Sequence, residues 1–335
     1  MHAGVRDASA NYLPGRTRPE TERPAIGWAL VAADVVHHQL AVNGVELHVA
    51  ELGEGPLVLL CHGWPELWWS WRHQLPALAG AGYRAVAMDQ RGYGRSSRPE
   101  RVEDYDIVHL GDDVLGLIDA LGEERAVAVG HDWGAIVAWY LGQAAPERLT
   151  GLAALSIPFW PRPPRPPTTM WKEMFGDRFF YMLHFQTPGV ADGQLGADPG
   201  ASLRLVMRRV SEDVFDGTAE VPPVLKWMTD EEFAVYEAEF RRTGFTGGIN
   251  WYRNVDRNWR LTADIADRTI DVPTMFLAGE RDPVLSFIPA EPMRERVGDL
   301  REYVLVAGAG HWVQQERPAE TNEVLLRFLA GLGPG

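Results

Sequence analysis

The sequence predicts an α/β protein: a mostly parallel sheet covered by helices on both faces, with a helical insertion. Three observations carry this. Short unbroken apolar runs, at residues 57–61, 84–88, 126–130, 151–157, 274–278 and 303–306, have the look of buried parallel strands. Helical patterns at 109–121, 135–145 and 319–329 alternate with them, which is how a parallel sheet is wound. Between about residues 159 and 269 the alternation stops and the text turns helical and aromatic.

The elements follow in order. Residues 1–35 have weak periodicity and several prolines, and read as an N-terminal extension: an extended arm with room for one short helix. Runs at 40–42 and 45–52 flank Asn43-Gly44, a type I′ hairpin signal. Adding this hairpin to the six apolar runs gives eight strands. Residues 36–158 form the first part of the core. The insertion, 159–269, is entered through Pro161, Pro163, Pro164, Pro166 and Pro167 and reads as a cap. Residues 270–335 return to the core.

Composition sets limits on function. The chain has 335 residues, 46% of them hydrophobic and 23% charged, as in an ordinary globular protein. Its 32 basic and 46 acidic residues give a net charge of −14, which argues against a nucleic-acid or anionic membrane partner. A single cysteine, Cys61, excludes an intrachain disulfide and a multi-cysteine zinc site. No apolar stretch approaches the roughly 20 residues of a membrane span. With no signal-peptide pattern, the cytoplasm is the expected compartment.

The chemistry is concentrated in a few motifs. Gly130-His131-Asp132-Trp133-Gly134 follows a strand and opens a helix. It has the form of a nucleophile elbow, G-x-S-x-G, with Asp132 in place of serine. An N-cap aspartate is the bland alternative, but the flanking glycines disfavour it. Enzymes with this elbow place an acid and then a histidine later in the chain. Glu280-Arg281-Asp282 follows one late strand and Gly310-His311-Trp312 follows the last, so Asp282, with Glu280 as its rival, would orient His311. Cys61-His62-Gly63-Trp64-Pro65 follows the 57–61 strand. Its position makes the backbone N–H groups of Trp64 and Trp133 the expected oxyanion hole. His62 reads as a loop-fixing residue, His131 as a satisfied core histidine, and Cys61 as a small hydrophobe. Met88-Asp89-Gln90-Arg91-Gly92-Tyr93-Gly94 lacks the ending of a phosphate loop and reads as a structural turn with ion pairing.

An aspartate nucleophile points to attack on a saturated carbon. Serine would leave an ether there, whereas a carboxylate leaves an ester that water activated by His311 can cleave. A departing halide needs N–H donors. A departing epoxide oxygen is a strongly basic alkoxide and needs an acid, such as a tyrosine hydroxyl.

These motifs resemble those of the α/β-hydrolase-fold epoxide hydrolases, most of all the hydrolase domain of the soluble enzymes, from about residue 36 to the C-terminus. His62-Gly63-Trp64-Pro65 is similar to the family's H-G-x-P motif. The segments 180–191 and 250–254 look like its two lid-tyrosine segments. The resemblance implies an α/β-hydrolase fold with an eight-stranded, mostly parallel sheet and a helical cap. It implies Asp132 as nucleophile, His311 as base and Asp282 as the acid. It also implies Tyr181 and Tyr252 as donors to the epoxide oxygen, and Phe185 and Trp312 lining the pocket beside Trp64. The expected partners are a small apolar epoxide and water, without metal or cofactor, in a monomer or homodimer. Haloalkane dehalogenases share the elbow and are the alternative; the two tyrosines, and Trp64 where such enzymes often carry asparagine, favour the epoxide. An esterase is disfavoured by Asp132, and a non-catalytic scaffold by the complete triad.

Overall fold

Asn43 and Gly44 both adopt left-handed backbone conformations, with φ of 46° and 75°, as a type I′ turn requires. They join β2 (Val36–Val42) to β3 (Val45–Leu52) in antiparallel register, Val42 opposite Val45. The structure is a computed structural model and describes residues 11–13, 34–223 and 225–333. The remaining strands are β1 (Asn11–Leu13), β4 (Leu57–Cys61), β5 (Arg84–Met88), β6 (Ala126–His131), β7 (Leu149–Leu155), β8 (Thr274–Gly279) and β9 (Leu300–Val306). They lie in the order β1-β9-β8-β7-β6-β4-β5-β3-β2, and every pairing from β5 through β4 to β1 is parallel.

The eight strands expected from the sequence are all present. β1 is a ninth, from within the N-terminal extension, set beside β9. Three residues are too few to show a strand period, which is why no apolar run announced it. The short helix allowed for in that extension lies outside the described residues.

The unbroken apolar runs are explained by two cores, one on each face. Along β4, Leu57, Leu59 and Cys61 pack into one cluster, and Val58 and Leu60 into the other. The first face is covered by α2 (Ile107–Ala120) and α3 (Trp133–Ala144). The second is covered by α1 (Gln74–Gly80) and the C-terminal α14 (Pro318–Ala330). Asp106 caps α2 by accepting the His109 N–H at 3.0 Å.

Between β7 and β8 the chain leaves the sheet and forms the cap, eight helices among the described residues. They are α4 (Pro167–Phe175), α5 (Tyr181–His184), α6 (Val190–Gly196), α7 (Pro199–Arg208), α8 (Glu212–Asp216), α9 (Asp230–Thr243), α10 (Thr246–Arg253) and α11 (Val255–Leu261). Two short helices, α12 (Val284–Phe287) and α13 (Val313–Glu316), follow β8 and β9. The cap shares its apolar interior with the first core, because Phe185, Leu203, Tyr236 and Trp251 belong to the same buried cluster as β4 and β6.

The strand order fixes where a site can form. From β4 the chain steps to β5 on one side, then crosses to β6 on the other. The crevice at the carboxyl ends of β4 and β6 is the switch point where open α/β sheets bind ligands. The cap is inserted at this end of the sheet, after β7.

Candidate active site

Asp132 stands in the turn between β6 and α3 with φ 52° and ψ −120°. This is sparsely populated backbone for a residue with a side chain, and the neighbours enforce it. A Cβ on Gly130 would overlap the Gly134 carbonyl, and one on Gly134 would overlap the Cys61 carbonyl. Only glycine allows the strand, the turn and the helix to approach so closely.

The loop after β4 closes over the same carboxylate. The Trp64 N–H donates to Asp132 Oδ1 at 2.8 Å. Trp133 is the first residue of α3, so its N–H has no partner within the helix. A side chain on Gly63 would overlap Asp132. His62 holds the loop: its Nε2 accepts the Gln90 N–H at 3.1 Å. Cys61 is buried, and burial pushes its thiol up to about 12, which leaves it inert.

His311 follows β9. Its Nδ1 donates to Asp282 Oδ2 at 3.0 Å, and its Nε2 lies 3.6 Å from Asp132 Oδ2. Asp282 is buried, and its other oxygen accepts the Val284 N–H at 2.9 Å. Burial opposes its charge, but the His311 imidazole outweighs that and holds the carboxyl below its usual range. Glu280, the rival acid, is exposed and accepts the Gly308 N–H at 3.1 Å. Burial likewise opposes charge on His311, but Asp282 and then Asp132 prevail and raise its pKa well above that of a free imidazole.

The cap brings two hydroxyls over the crevice. Tyr181 begins α5 and Tyr252 lies near the end of α10, with ring centroids 5.8 Å apart. Tyr252 also contacts the rings of Trp133 at 5.1 Å and Trp64 at 5.7 Å. The two segments are bolted together. Gln186 Nε2 donates to the carbonyls of Met182 and Tyr252 at 2.8 and 2.9 Å, and Arg253 Nε donates to the Phe185 carbonyl at 2.9 Å. Burial is the main force raising both tyrosine pKa values, and Asp132 adds to it, so both stay protonated donors at neutral pH. Phe185 is wholly buried, 5.2 Å from the Trp64 ring, and Trp312 meets the His311 ring edge-on at 4.9 Å. The residues singled out from the sequence thus converge on one crevice.

Two supporting residues were not singled out. Glu66 is buried; its Oε2 accepts the Gly63 N–H at 2.8 Å and His131 Nδ1–H at 2.6 Å. His131 Nε2–H in turn donates to the His311 carbonyl at 2.8 Å, and Ser156 Oγ donates to the same carbonyl at 2.7 Å. Burial would raise the Glu66 carboxyl, but His131 outweighs it and lowers it to about 2. The only sequence sign was an acid directly after the His62–Pro65 motif. Ser156, at φ 69°, left no sign.

An elbow carboxylate, a triad histidine and a loop N–H over a switch point define a protein of the α/β-hydrolase fold. The comparisons agree: residues 56–318 match the family model described as the alpha/beta hydrolase fold. The chain is 49% identical to epoxide hydrolase A of Mycobacterium tuberculosis, over 87% of this chain and 96% of that one. It is 38% identical to bifunctional epoxide hydrolase 2 of Sus scrofa over 85% of this chain, spanning 53% of that longer protein. The crystal structure of epoxide hydrolase A from Mycobacterium thermoresistibile superposes with a TM-score of 0.86 at 48% identity, covering 90% of this chain and 100% of that one. The chain belongs to the epoxide hydrolases of the α/β-hydrolase fold.

Proposed function

We propose that this protein hydrolyses epoxides to vicinal diols through an ester on Asp132. The observation that carries the reading is a carboxylate, where a serine would stand, facing two protonated tyrosines across one crevice. Residues 36–158 and 270–335 serve as the catalytic core, 159–269 as the cap, and 1–35 as an extension.

Asp132 Oδ1 already accepts the Trp64 N–H, so Oδ2, 3.6 Å from His311 Nε2, is the oxygen left for attack. Oδ2 bonds to one epoxide carbon as that carbon's bond to the ring oxygen breaks. The ring oxygen leaves as an alkoxide and takes a proton from Tyr181 or Tyr252, so a hydroxy-ester remains. Forming the ester removes the charge of Asp132, one of the groups that keep His311 protonated. His311 then loses its proton more readily, to the tyrosinate just formed, and becomes the base when one is needed. It takes a proton from water, which adds to the Asp132 carbonyl carbon. The oxyanion forms on Oδ1, against the N–H groups of Trp64 and Trp133. Its collapse expels the Oδ2 oxygen, which takes the proton His311 gained from water and leaves in the diol, while the water oxygen stays on Asp132, whose carboxyl proton passes back to His311. Asp282 orients His311 and balances its positive charge.

The dehalogenase alternative needs N–H donors for a departing halide. Here the Trp133 side chain is hydrogen bonded to Tyr252 and engaged with the cap, which favours the epoxide.

Incubation with styrene oxide and a bromoalkane, scoring diol and bromide separately, tests the reading. Diol without bromide is expected, and bromide alone would make the protein a dehalogenase. Asp132→Ala should reduce turnover by several orders of magnitude. His311→Gln should accumulate the ester, visible as a mass adduct on the peptide containing Asp132. Wild-type protein in one turnover in ¹⁸O-water should release unlabelled diol; labelled diol would mean direct attack by water.

A further inference from the structure

The segment that follows His311 is tied in two directions. Trp312 Nε1–H donates to the Met207 carbonyl, in the last turn of cap helix α7, at 2.6 Å. Gln315, in α13, faces both the cap and the core. Its Oε1 accepts the Tyr236 hydroxyl of cap helix α9 at 3.1 Å and Arg72 Nη1–H of the core at 2.7 Å. Its Nε2 donates to Glu66 Oε1 at 3.1 Å. Tyr236 also pairs with Ser70 Oγ at 2.7 Å. Arg72 Nε–H donates at 2.9 Å to Glu232, whose carboxylate caps α9 by accepting the Thr229 N–H at 2.8 Å.

Glu66, Ser70, Arg72, Tyr236 and Gln315 are each no more than 2% exposed. Arg72 Nη2 is buried without a partner, but the other bonds of this dry network hold it together, because each one broken strands a further buried donor or acceptor. A shift of α9 against the core would therefore break several bonds at once. Through Glu66 the same network reaches the Gly63 N–H and His131, and through His131 the His311 carbonyl. The cap, meanwhile, carries Tyr181 and Tyr252.

We propose that Gln315 and Tyr236 are positioning residues, a clasp that fixes the seat of the cap tyrosines and the seat of Asp132 and His311 to one frame. The clasp rests on the two-step ester reading above. Loosening it from either side should disturb both steps: ester formation, served by the tyrosines, and ester decay, served by His311. A stability role alone would lower Tm and leave the rates of the folded enzyme unchanged.

Rapid-quench single turnover with styrene oxide on the full chain tests this, using Tyr236→Phe, Gln315→Met, the double variant and Ser202→Ala. Ser202 Oγ donates to the Leu195 carbonyl at 2.9 Å inside the cap, so its loss lowers stability without touching the clasp. Each clasp variant should slow both formation and decay about tenfold, and Ser202→Ala neither. The double variant should lose well under a hundredfold, because the Tyr236–Gln315 bond is lost in both single variants. Rates that multiply, or that match those of Ser202→Ala, overturn the proposal. If a Gln315 variant does not fold, Tyr236→Phe decides alone. It removes one oxygen remote from Asp132, and unchanged ester decay refutes the clasp. Wild-type protein that forms no ester overturns the chemical reading, and the coupling of the two steps with it.

Discussion

Glu66 is the residue on which most of the local order depends, because its four carboxylate contacts hold the oxyanion loop, His131, Gln314 and Gln315. A buried carboxylate persists only when fully paired. Its folded pKa of about 2 lies below the ordinary 4.5. The charged form therefore contributes stability that is complete above about pH 4.5 and disappears as pH falls towards about 2. Glu66→Gln should be clearly less stable than wild type at pH 7, with the difference shrinking across that acid window. Urea midpoints at a series of pH values measure it, and a pH-independent gap would show that the charge is not what matters. His311 has the opposite sign. Its raised pKa contributes stability in full below about pH 6.5, lost as pH rises through its folded value.

Among the elements, α10 shows how packing sets chemistry. Gly247 lies against the Gly92 backbone, and a Cβ on Gly248 would meet the Tyr93 hydroxyl and come within 2.7 Å of Trp64 Cδ1. Tyr252 is one turn beyond Gly248, on the same face. Gly248→Ala must push the helix and its tyrosine outward. We expect a stability cost of about 1–3 kcal/mol from overpacking. We also expect a loss in kcat/KM of up to about a hundredfold, because small misplacements of a reacting group are expensive. Steady-state kinetics beside urea titration separates the two, and an unchanged kcat/KM would mean that Tyr252 tolerates the shift. The lid aromatics divide by the same logic: Phe245 and Trp251 are buried packing, Phe185 is buried against the Trp64 ring beside the crevice, and Trp171, Phe175 and Phe180 stay partly open.

At the scale of the molecule, the two cores have separate duties. The core shared with the cap shapes the crevice, and the other lies under α1 and α14. Phe328, 2% exposed, belongs to that second core, which includes none of the crevice aromatics. Phe328→Ala should cost about 3–5 kcal/mol through the cavity it leaves. Denaturation should show the loss, while kcat per folded molecule stays at the wild-type value. A fall in kcat would mean that the two faces of the sheet are coupled. Among the described residues no helix is long and apolar enough to cross a membrane.

The eight core strands, the hairpin turn, the insertion and the elbow are all legible in the sequence. These are written in short-range signals: apolar runs, the Asn43-Gly44 pair, and glycines flanking Asp132. It also pointed to the tyrosines and the triad, through local motifs. On spacing it favoured Asp282 over Glu280, and the resemblance named Asp282. The geometry supports that reading: Asp282 is buried against His311 and Glu280 is turned to solvent. Only the tertiary structure gave Glu66, Ser156, Gln315 and Tyr236 their partners, which lie up to 249 residues apart in the chain. Contacts that distant leave no periodicity or motif behind. They exist only once the sheet has brought the carboxyl ends of β4, β6 and β9 to one edge and the cap has closed over them.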